Sequence, residues 1–201
     1  MTIKDFGAQV ESVWQGLRPM TRKMLVGALQ INAPAQPQKF SYDAHADWEL
    51  SRLLSALDEQ TTEAKAKNDS EKFREITQLA ETCADVLQAQ TESAEVFIQL
   101  AARAIARLDY RKFDELANAL QKRFSVGEMC EIARQTTNPA IRALAFETLA
   151  LVPVASLVQL SDDPVYFEIV RNALEQQAFE YESEEARMVL DQLEMNEFGE
   201  E

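Results

Sequence analysis

The sequence predicts an all-α protein, built as a multi-helix bundle in which a long N-terminal helical hairpin is followed by pairs of shorter helices. Three observations support this class. Every apolar pattern of useful length repeats at intervals of three or four residues, as one face of an α-helix does. The 201 residues include only 5 glycines and 6 prolines, while Ala, Leu, Glu and Gln, which lose little freedom in a helix, are abundant. No alternating run rich in Val or Ile indicates a strand.

The first two predicted helices cover residues 3–17 and 20–29. Apolar residues recur at every third or fourth position of the first helix, and a proline separates it from the second. Pro34 and Pro37 disfavour helix in the segment that follows. Residues 31–42 are therefore predicted to form an extended connector, which is either a plain linker or a loop that contacts a partner.

Two long helices come next, and a tight turn near residues 67–70 is expected to join them into an antiparallel hairpin. The first begins at Asp43 and continues through a series of leucines. Asn68 and Glu71 have the spacing of a capping box at the start of the second. We therefore assign residues 1–90 to an N-terminal helical hairpin region.

Residues 91–198 are predicted to contain shorter helices with sharper boundaries, and to form one contiguous body with the first region. The apolar window 143–160 is interrupted by Pro153, which favours two short buried helices over a membrane span. Polar residues that cap free backbone amides mark several helix starts. These start signals are Ser125 with Glu128, Asn138 with Pro139, Asp163 with Pro164, and Ser183.

One of these helices has the pattern of a known repeat. The segment NPAIRALAFETLA resembles the second helix of a HEAT-type repeat, with residues 126–135 as the first helix of the unit. The residues that carry the resemblance are Asn138, Pro139, Ile141, Arg142, Ala145 and Leu149. The segment DDPVYFEIVRNAL is a poorer copy, because Phe167 stands where an arginine is expected and Arg171 follows one turn late. The resemblance covers about residues 110–195 and implies HEAT-like helix pairs of the α-solenoid type. The alternative is a non-repetitive bundle with Pro-capped helices.

The charge is distributed unevenly along the chain. The net charge is −14. Residues 1–100 contribute −5, residues 101–142 contribute +3 and residues 143–201 contribute −12. Such an excess of acid repels phosphate backbones, so nucleic acid is not an expected partner.

The sequence contains few residues that could carry catalysis. Cys83 and Cys130 are the only cysteines, and we expect both to be buried free thiols in a reducing cytoplasm. His45 is the only histidine. It shares a helix face with Glu49, and the two could contribute metal ligands, but an exposed or partly packed histidine is the preferred interpretation. The five glycines form no phosphate-binding loop. We expect no cofactor and no metal.

Three arginines are the candidate partner-binding residues. Arg103, Arg107 and Arg111 are four residues apart and form a cationic stripe if the helix continues through Asp109. The stripe is either a dock for an acidic partner or anion, or a set of ion pairs with the acidic C-terminal segment. We prefer the ion pairs. The tryptophans, Trp14 and Trp48, are expected to pack in the core or within the helical hairpin rather than to form a ligand site.

The absence of any catalytic motif beside an acidic, repeat-like helical surface favours a non-enzymatic scaffold or adaptor that binds another protein. The alternative is an enzyme or small-ligand binder that uses a pocket between helices, with His45 or the arginines as its polar centre. We expect a cytoplasmic protein with no membrane span, and a homo-oligomer is possible. A scaffold would expose a broad apolar or charged face, whereas an enzyme would enclose a pocket in which titratable groups converge.

Overall fold

The computed structural model describes residues 3–29, 42–67 and 69–199, and this part of the chain contains α-helices, one short 3₁₀ helix and no strand. The predicted all-α class is confirmed. The α-helices are α1 (Ala8–Gly16), α2 (Pro19–Leu29), α3 (Ala44–Ala66), α4 (Ser70–Gln90), α5 (Ala94–Ala106), α6 (Tyr110–Arg123), α7 (Val126–Gln135), α8 (Pro139–Leu149), α9 (Val154–Val158), α10 (Phe167–Phe179) and α11 (Glu184–Gly199).

The helices group into two compact units, Met1–Thr91 and Glu92–Glu201. In the first unit, the predicted continuous helix over residues 3–17 is wrong. A 3₁₀ helix at Ile3–Phe6 is separated from α1 by Gly7, whose φ of 121° is a conformation that residues with a side chain rarely adopt. A Cβ atom at Gly7 would also lie 2.7 Å from Oε1 of Gln60, so the flexible Gln60 side chain would have to move, whereas the positive φ disfavours a larger residue in any case.

The long hairpin of the first unit is present, and it consists of α3 and α4. Two hydrogen bonds show that the helices are antiparallel, because they join the C-terminal half of α4 to the N-terminal half of α3. Sγ of Cys83 donates to the Leu50 carbonyl at 3.4 Å, and the Thr91 hydroxyl, just after α4, donates to Asp47 at 3.0 Å. The predicted cap Asn68 lies outside the described residues, and the side chain that caps α4 is that of Asp69.

In the second unit, most predicted helix starts are confirmed. The Ser125 hydroxyl accepts a hydrogen bond from the Glu128 amide, the Asn138 side chain accepts one from the Ala140 amide, and the Ser183 hydroxyl accepts one from the Ala186 amide. Asp163 and Pro164 are the exception. The Asp163 side chain accepts from the Val165 amide in a turn, and α10 begins only at Phe167.

The capping box at the start of α7 is only half formed. The carboxylate of Glu128 does not accept a hydrogen bond from the backbone amide of Ser125, as a full capping box requires. It accepts one from the Ala94 amide at 2.7 Å. Ala94 is the first residue of α5, whose N-cap residue Ser93 makes no side-chain capping bond. A side chain of α7 therefore caps α5.

The predicted helix pairs of the second unit are partly visible. α7 contacts α8, and α10 contacts α11, while the five-residue α9 lies between the two pairs in sequence. The apolar window 143–160 thus contains most of α8 and all of α9. In the described part of the chain, no helix combines the length and apolar character needed to cross a bilayer. The HEAT-like interpretation of these pairs stays a prediction.

The C-terminal ends of several helices are held by side chains from later helices. Long side chains donate to carbonyl oxygens that the helix itself leaves without a partner. Arg22 of α2 donates to the Gln15 and Leu17 carbonyls at the end of α1. The other three examples are Arg142 to the Thr136 carbonyl after α7, Gln177 to the Leu149 and Val152 carbonyls after α8, and Arg187 to the Ala178 carbonyl in α10.

α5 ends differently, in a Schellman motif with a leucine at the left-handed position. The Asp109 amide donates to the Ala104 carbonyl and the Leu108 amide donates to the Ile105 carbonyl, which is the bonding pattern of this motif. Leu108 has φ 57°. The left-handed position usually holds glycine, because a side chain there costs about 1–2 kcal/mol. The Leu108 side chain is 70% exposed, so its packing offsets little of this cost.

Replacement of Leu108 by glycine should therefore stabilise the protein. Relief of the left-handed strain outweighs the roughly 0.5–1 kcal/mol that glycine costs through the entropy of the unfolded chain, so we expect a gain of about 0.5–1 kcal/mol. Urea denaturation followed by far-ultraviolet circular dichroism measures it. Ala102→Gly, at an exposed position within α5, is the control and should lower stability by a similar amount. A loss of stability in Leu108→Gly would show that the leucine contributes contacts that outweigh its strain.

Candidate functional site

The three candidate arginines do not share one helix. Arg103 lies in the last turn of α5, Arg107 is the residue that ends this helix, and Arg111 lies in the first turn of α6. The helix is interrupted at Leu108 and Asp109, so the condition for a stripe, a helix that continues through Asp109, is not met. The interruption removes the geometric basis for a single cationic stripe. A partner-binding role for the three arginines stays a prediction.

The ion pair that Arg111 forms is not the predicted one. Its guanidinium lies 3.6 Å from the carboxylate of Glu115, four residues later in the same helix. This partner lies outside the acidic segment 143–201, so the expected ion pair between Arg111 and that segment is wrong. Both side chains are exposed, and a pair of this kind contributes little to stability.

His45 and Trp48 lie on the surface of α3. Nε2 of His45 is 3.7 Å from the Glu49 carboxylate, and the histidine ring contacts the Trp48 ring at 5.6 Å between centroids. Trp48 is 52% exposed, and the guanidinium carbon of Arg52 lies over its ring, 4.7 Å from the ring centroid. The predicted packing of Trp48 within the hairpin is therefore wrong, whereas Trp14 in α1 is half-buried. Among the described residues, no three His, Cys, Asp or Glu side chains are arranged to hold a metal ion.

A polar cluster in the first unit joins α2 to α3 around Glu49, which is only 2% exposed. One carboxylate oxygen accepts from the Arg18 amide at 2.7 Å, and the other accepts from Nε of Arg18 and from the Thr21 hydroxyl. Arg18 also forms a bidentate pair with Asp43, the N-cap of α3. We call these four residues the α2–α3 clamp. Every oxygen of Glu49 is bonded, so the clamp is suited to holding two helix starts together.

The clamp shifts the pKa values of its carboxyl groups. Burial alone would raise the pKa of Glu49, but hydrogen bonds from Thr21 and Arg18 outweigh it and lower the pKa below the ordinary value. The hydrogen bonds from Arg18 and the Ala46 amide hold the pKa of Asp43 well below its usual range. Both groups are therefore carboxylates at neutral pH.

A second buried carboxylate, Asp47, also serves to hold segments together. It accepts from the Tyr42 hydroxyl and from the Thr91 hydroxyl. Burial and the bond to Asp47 raise the pKa of Tyr42 well above its ordinary value. Tyr42 is the one residue of the predicted connector 31–42 that the structure describes, and the rest of the connector lies outside the described residues.

The cysteines are buried free thiols, as predicted. Burial raises the pKa of Cys130 to about 11, which keeps it in the unreactive thiol form at neutral pH.

The second unit contains an open groove between α6 and α8, with a volume of about 410 Å³. Each wall contributes residues at positions i, i+3, i+4 and i+7, so the first wall is one face of α6 and the second is a face of α8 that the following turn extends. The eight lining residues are Asp114, Ala117, Asn118 and Gln121 from α6, and Leu144, Glu147, Thr148 and Leu151 from α8 and the turn after it. We call this site the α6–α8 groove.

The α6–α8 groove combines an apolar surface with negative charge. Ala117, Leu144 and Leu151 supply the apolar part, and Leu151 is 56% exposed. Asp114 and Glu147 place one carboxylate on each wall, and neither makes an ion pair with a described residue. Exposed apolar side chains next to acidic ones are typical of surfaces that bind other molecules. The eight described residues that line the groove include no histidine, cysteine or lysine that could act with these carboxylates as a catalytic pair.

The sequence pattern did not identify this groove. Its α6 wall contains Ala117, which lies next to the buried core residue Leu116, and its α8 wall lies next to the core positions Ile141, Ala145 and Leu149. One signal was available: Leu144 and Leu151 are seven residues apart and lie off the core face, so they form a second, narrower apolar stripe. Which helix faces that stripe is determined by tertiary packing.

Comparison of the chain with protein-family models, with curated proteins and with solved structures gives no match.

The α2–α3 clamp predicts a pH dependence. The pKa of Glu49 is lower in the folded state than its ordinary value of 4.5, so the stabilisation is complete above about pH 4.5 and is lost as the pH falls through the folded pKa. Glu49→Gln should lower the free energy of unfolding at pH 7 by about 2 kcal/mol, because charged hydrogen bonds become neutral ones. It should also reduce the loss of stability between pH 5 and pH 3.

Tryptophan fluorescence during urea denaturation measures this effect in the first unit alone, because Trp14 and Trp48 are the only tryptophans of the chain. Glu59→Gln is the matched control, since Glu59 is an exposed residue of the same helix, and it should leave stability within about 0.5 kcal/mol of the wild type. Equal effects of the two substitutions would contradict a specific role for Glu49.

Proposed function

We propose that this chain is a non-enzymatic scaffold or adaptor of the cytoplasm that binds another protein through the α6–α8 groove. The observation that carries the proposal is the groove itself. It is open, its walls are a face of α6 and a face of α8 with the turn after it, and it presents apolar side chains beside two carboxylates without ion pairs to described residues. Such a surface gains free energy when a partner covers the apolar residues and neutralises the acids.

The proposal includes the HEAT-like interpretation of residues 110–195. In repeats of this kind, successive helix pairs stack and expose extended binding surfaces. The contact between α7 and α8 supports one such pair, and the groove lies on the second helix of that pair.

The alternative function, a small-ligand binder or enzyme, has its best support in the buried carboxylates of the first unit. That support is weaker, because the oxygens of Glu49 already accept hydrogen bonds from Arg18 and Thr21. Asp47 is similarly engaged by Tyr42 and Thr91. A carboxylate whose bonds are taken by neighbouring helices serves packing better than chemistry.

A substitution that fills the groove tests the proposal. Ala117→Arg places a long charged side chain between the walls and should reduce capture of the partner at least tenfold, because a partner must then displace it. Affinity capture from native lysate with the tagged full chain, quantified by mass spectrometry, measures the loss.

Ala119→Arg is the matched control, since Ala119 lies on the same helix, is half-buried like Ala117 and does not line the groove. It should retain every partner that the wild type captures. If Ala117→Arg and Ala119→Arg recover the same proteins in the same amounts as the wild type, the groove is not the binding surface and the proposal is wrong.

A further inference from the structure

The walls of the α6–α8 groove offer side chains rather than backbone groups. Both walls are α-helical over most of their length, and the amides and carbonyls within a helix are already bonded to one another. An extended peptide would find no row of backbone partners there, unlike a peptide that joins the edge of a sheet. The groove therefore favours an occupant that satisfies its own backbone hydrogen bonds, which is an α-helix.

The length of the groove fits two turns of such a helix. The lining residues run from Asp114 to Gln121 on one wall and from Leu144 to Leu151 on the other. Seven residues at 1.5 Å each give about 10 Å along the α6 wall. An occupying helix would thus contact the groove through residues at i, i+3, i+4 and i+7.

The charges of the groove set the chemistry of the occupant. Asp114 and Glu147 lie on opposite walls, so basic side chains on either flank of an apolar stripe would each meet a carboxylate. The net charge of −14 adds a long-range attraction for a basic partner and a repulsion for an acidic one. We infer, on the basis of the proposed function, that the α6–α8 groove binds a basic amphipathic helix of a partner protein, with apolar residues facing the groove and Lys or Arg on both sides.

A second copy of this chain is the other occupant to consider. The turn between α5 and α6 exposes Leu108 and Tyr110 next to Arg107 and Arg111, which is a basic and apolar combination. Two copies would each carry −14, however, and this mutual repulsion disfavours self-association relative to a basic partner.

Labelled peptides test the inference directly. One probe is a 14-residue helical peptide with Leu and Ala at i, i+3, i+4 and i+7 and Lys on both flanks, and the matched probe replaces every Lys by Glu. Fluorescence anisotropy with the full chain should show binding of the basic peptide, at least tenfold tighter than binding of the acidic one. The affinity for the basic peptide should fall as salt is raised, because screening weakens the contacts with Asp114 and Glu147.

Charge reversal separates a local site from general attraction. Asp114→Lys with Glu147→Lys should weaken binding of the basic peptide at least tenfold. Asp162→Lys with Glu194→Lys is the matched control, because it changes the net charge equally at two exposed acids outside the groove, and it should weaken binding less than threefold. All four residues are exposed, so circular dichroism should show that both variants remain folded.

Three results would overturn the inference. Equal losses in the two double variants would show that only the net charge attracts the peptide. Failure of the basic peptide to bind, while Ala117→Arg still abolishes capture of a cellular partner, would show that the proposed function holds and that the partner is not a basic helix. A dimer in sedimentation experiments that Ala117→Arg dissociates would assign the groove to a second copy of the chain.

Discussion

The carbonyl groups that each helix leaves free at its C-terminal end are the constraint on which much of this structure depends. Such groups are costly to bury without a hydrogen bond, and proteins commonly satisfy them with a glycine in the left-handed conformation. This chain has few glycines. It instead uses Arg22, Arg142, Gln177 and Arg187, each of which reaches back from a later helix to the end of an earlier one. Each of these bonds fixes the position of one helix against another within its unit.

This use of arginine also affects the electrostatics of the surface. An arginine whose guanidinium is oriented towards backbone carbonyls is less available to pair with carboxylates, in a chain that already has 34 acidic and 20 basic residues. The acids that do find arginines include Asp43 and Glu49 in the α2–α3 clamp. Those on the α6–α8 groove do not. The groove therefore keeps its negative character.

Much of the fold could be predicted from the sequence because its signals are local. Helical periodicity gave the all-α class, and the capping side chains of Ser125, Asn138 and Ser183 gave three helix starts within one residue. The errors have local physical causes as well. Gly7 interrupts the first helix through its positive φ, and Asp163 caps a turn rather than a helix.

The candidate site could not be predicted in the same way, because it depends on tertiary packing. The break between α5 and α6 requires Leu108 in a conformation that its residue type disfavours. The regular spacing of the three arginines therefore gives no sign of the break. The α6–α8 groove exists because two helices separated by α7 come together. Its residues are ordinary surface residues when each helix is considered alone.

The bond from the Ala94 amide to Glu128 has a consequence for how the second unit opens. A helix capped by its own side chain can keep its first turn when its neighbours detach, but α5 receives this bond from a residue 34 positions later in the chain. If α7 separates, the first turn of α5 loses an acceptor and its amides become accessible to exchange with solvent. The two helices therefore belong to one cooperative unit of local unfolding. During folding, α5 gains its capping bond only after the chain between Ala94 and Glu128 has brought these two residues together.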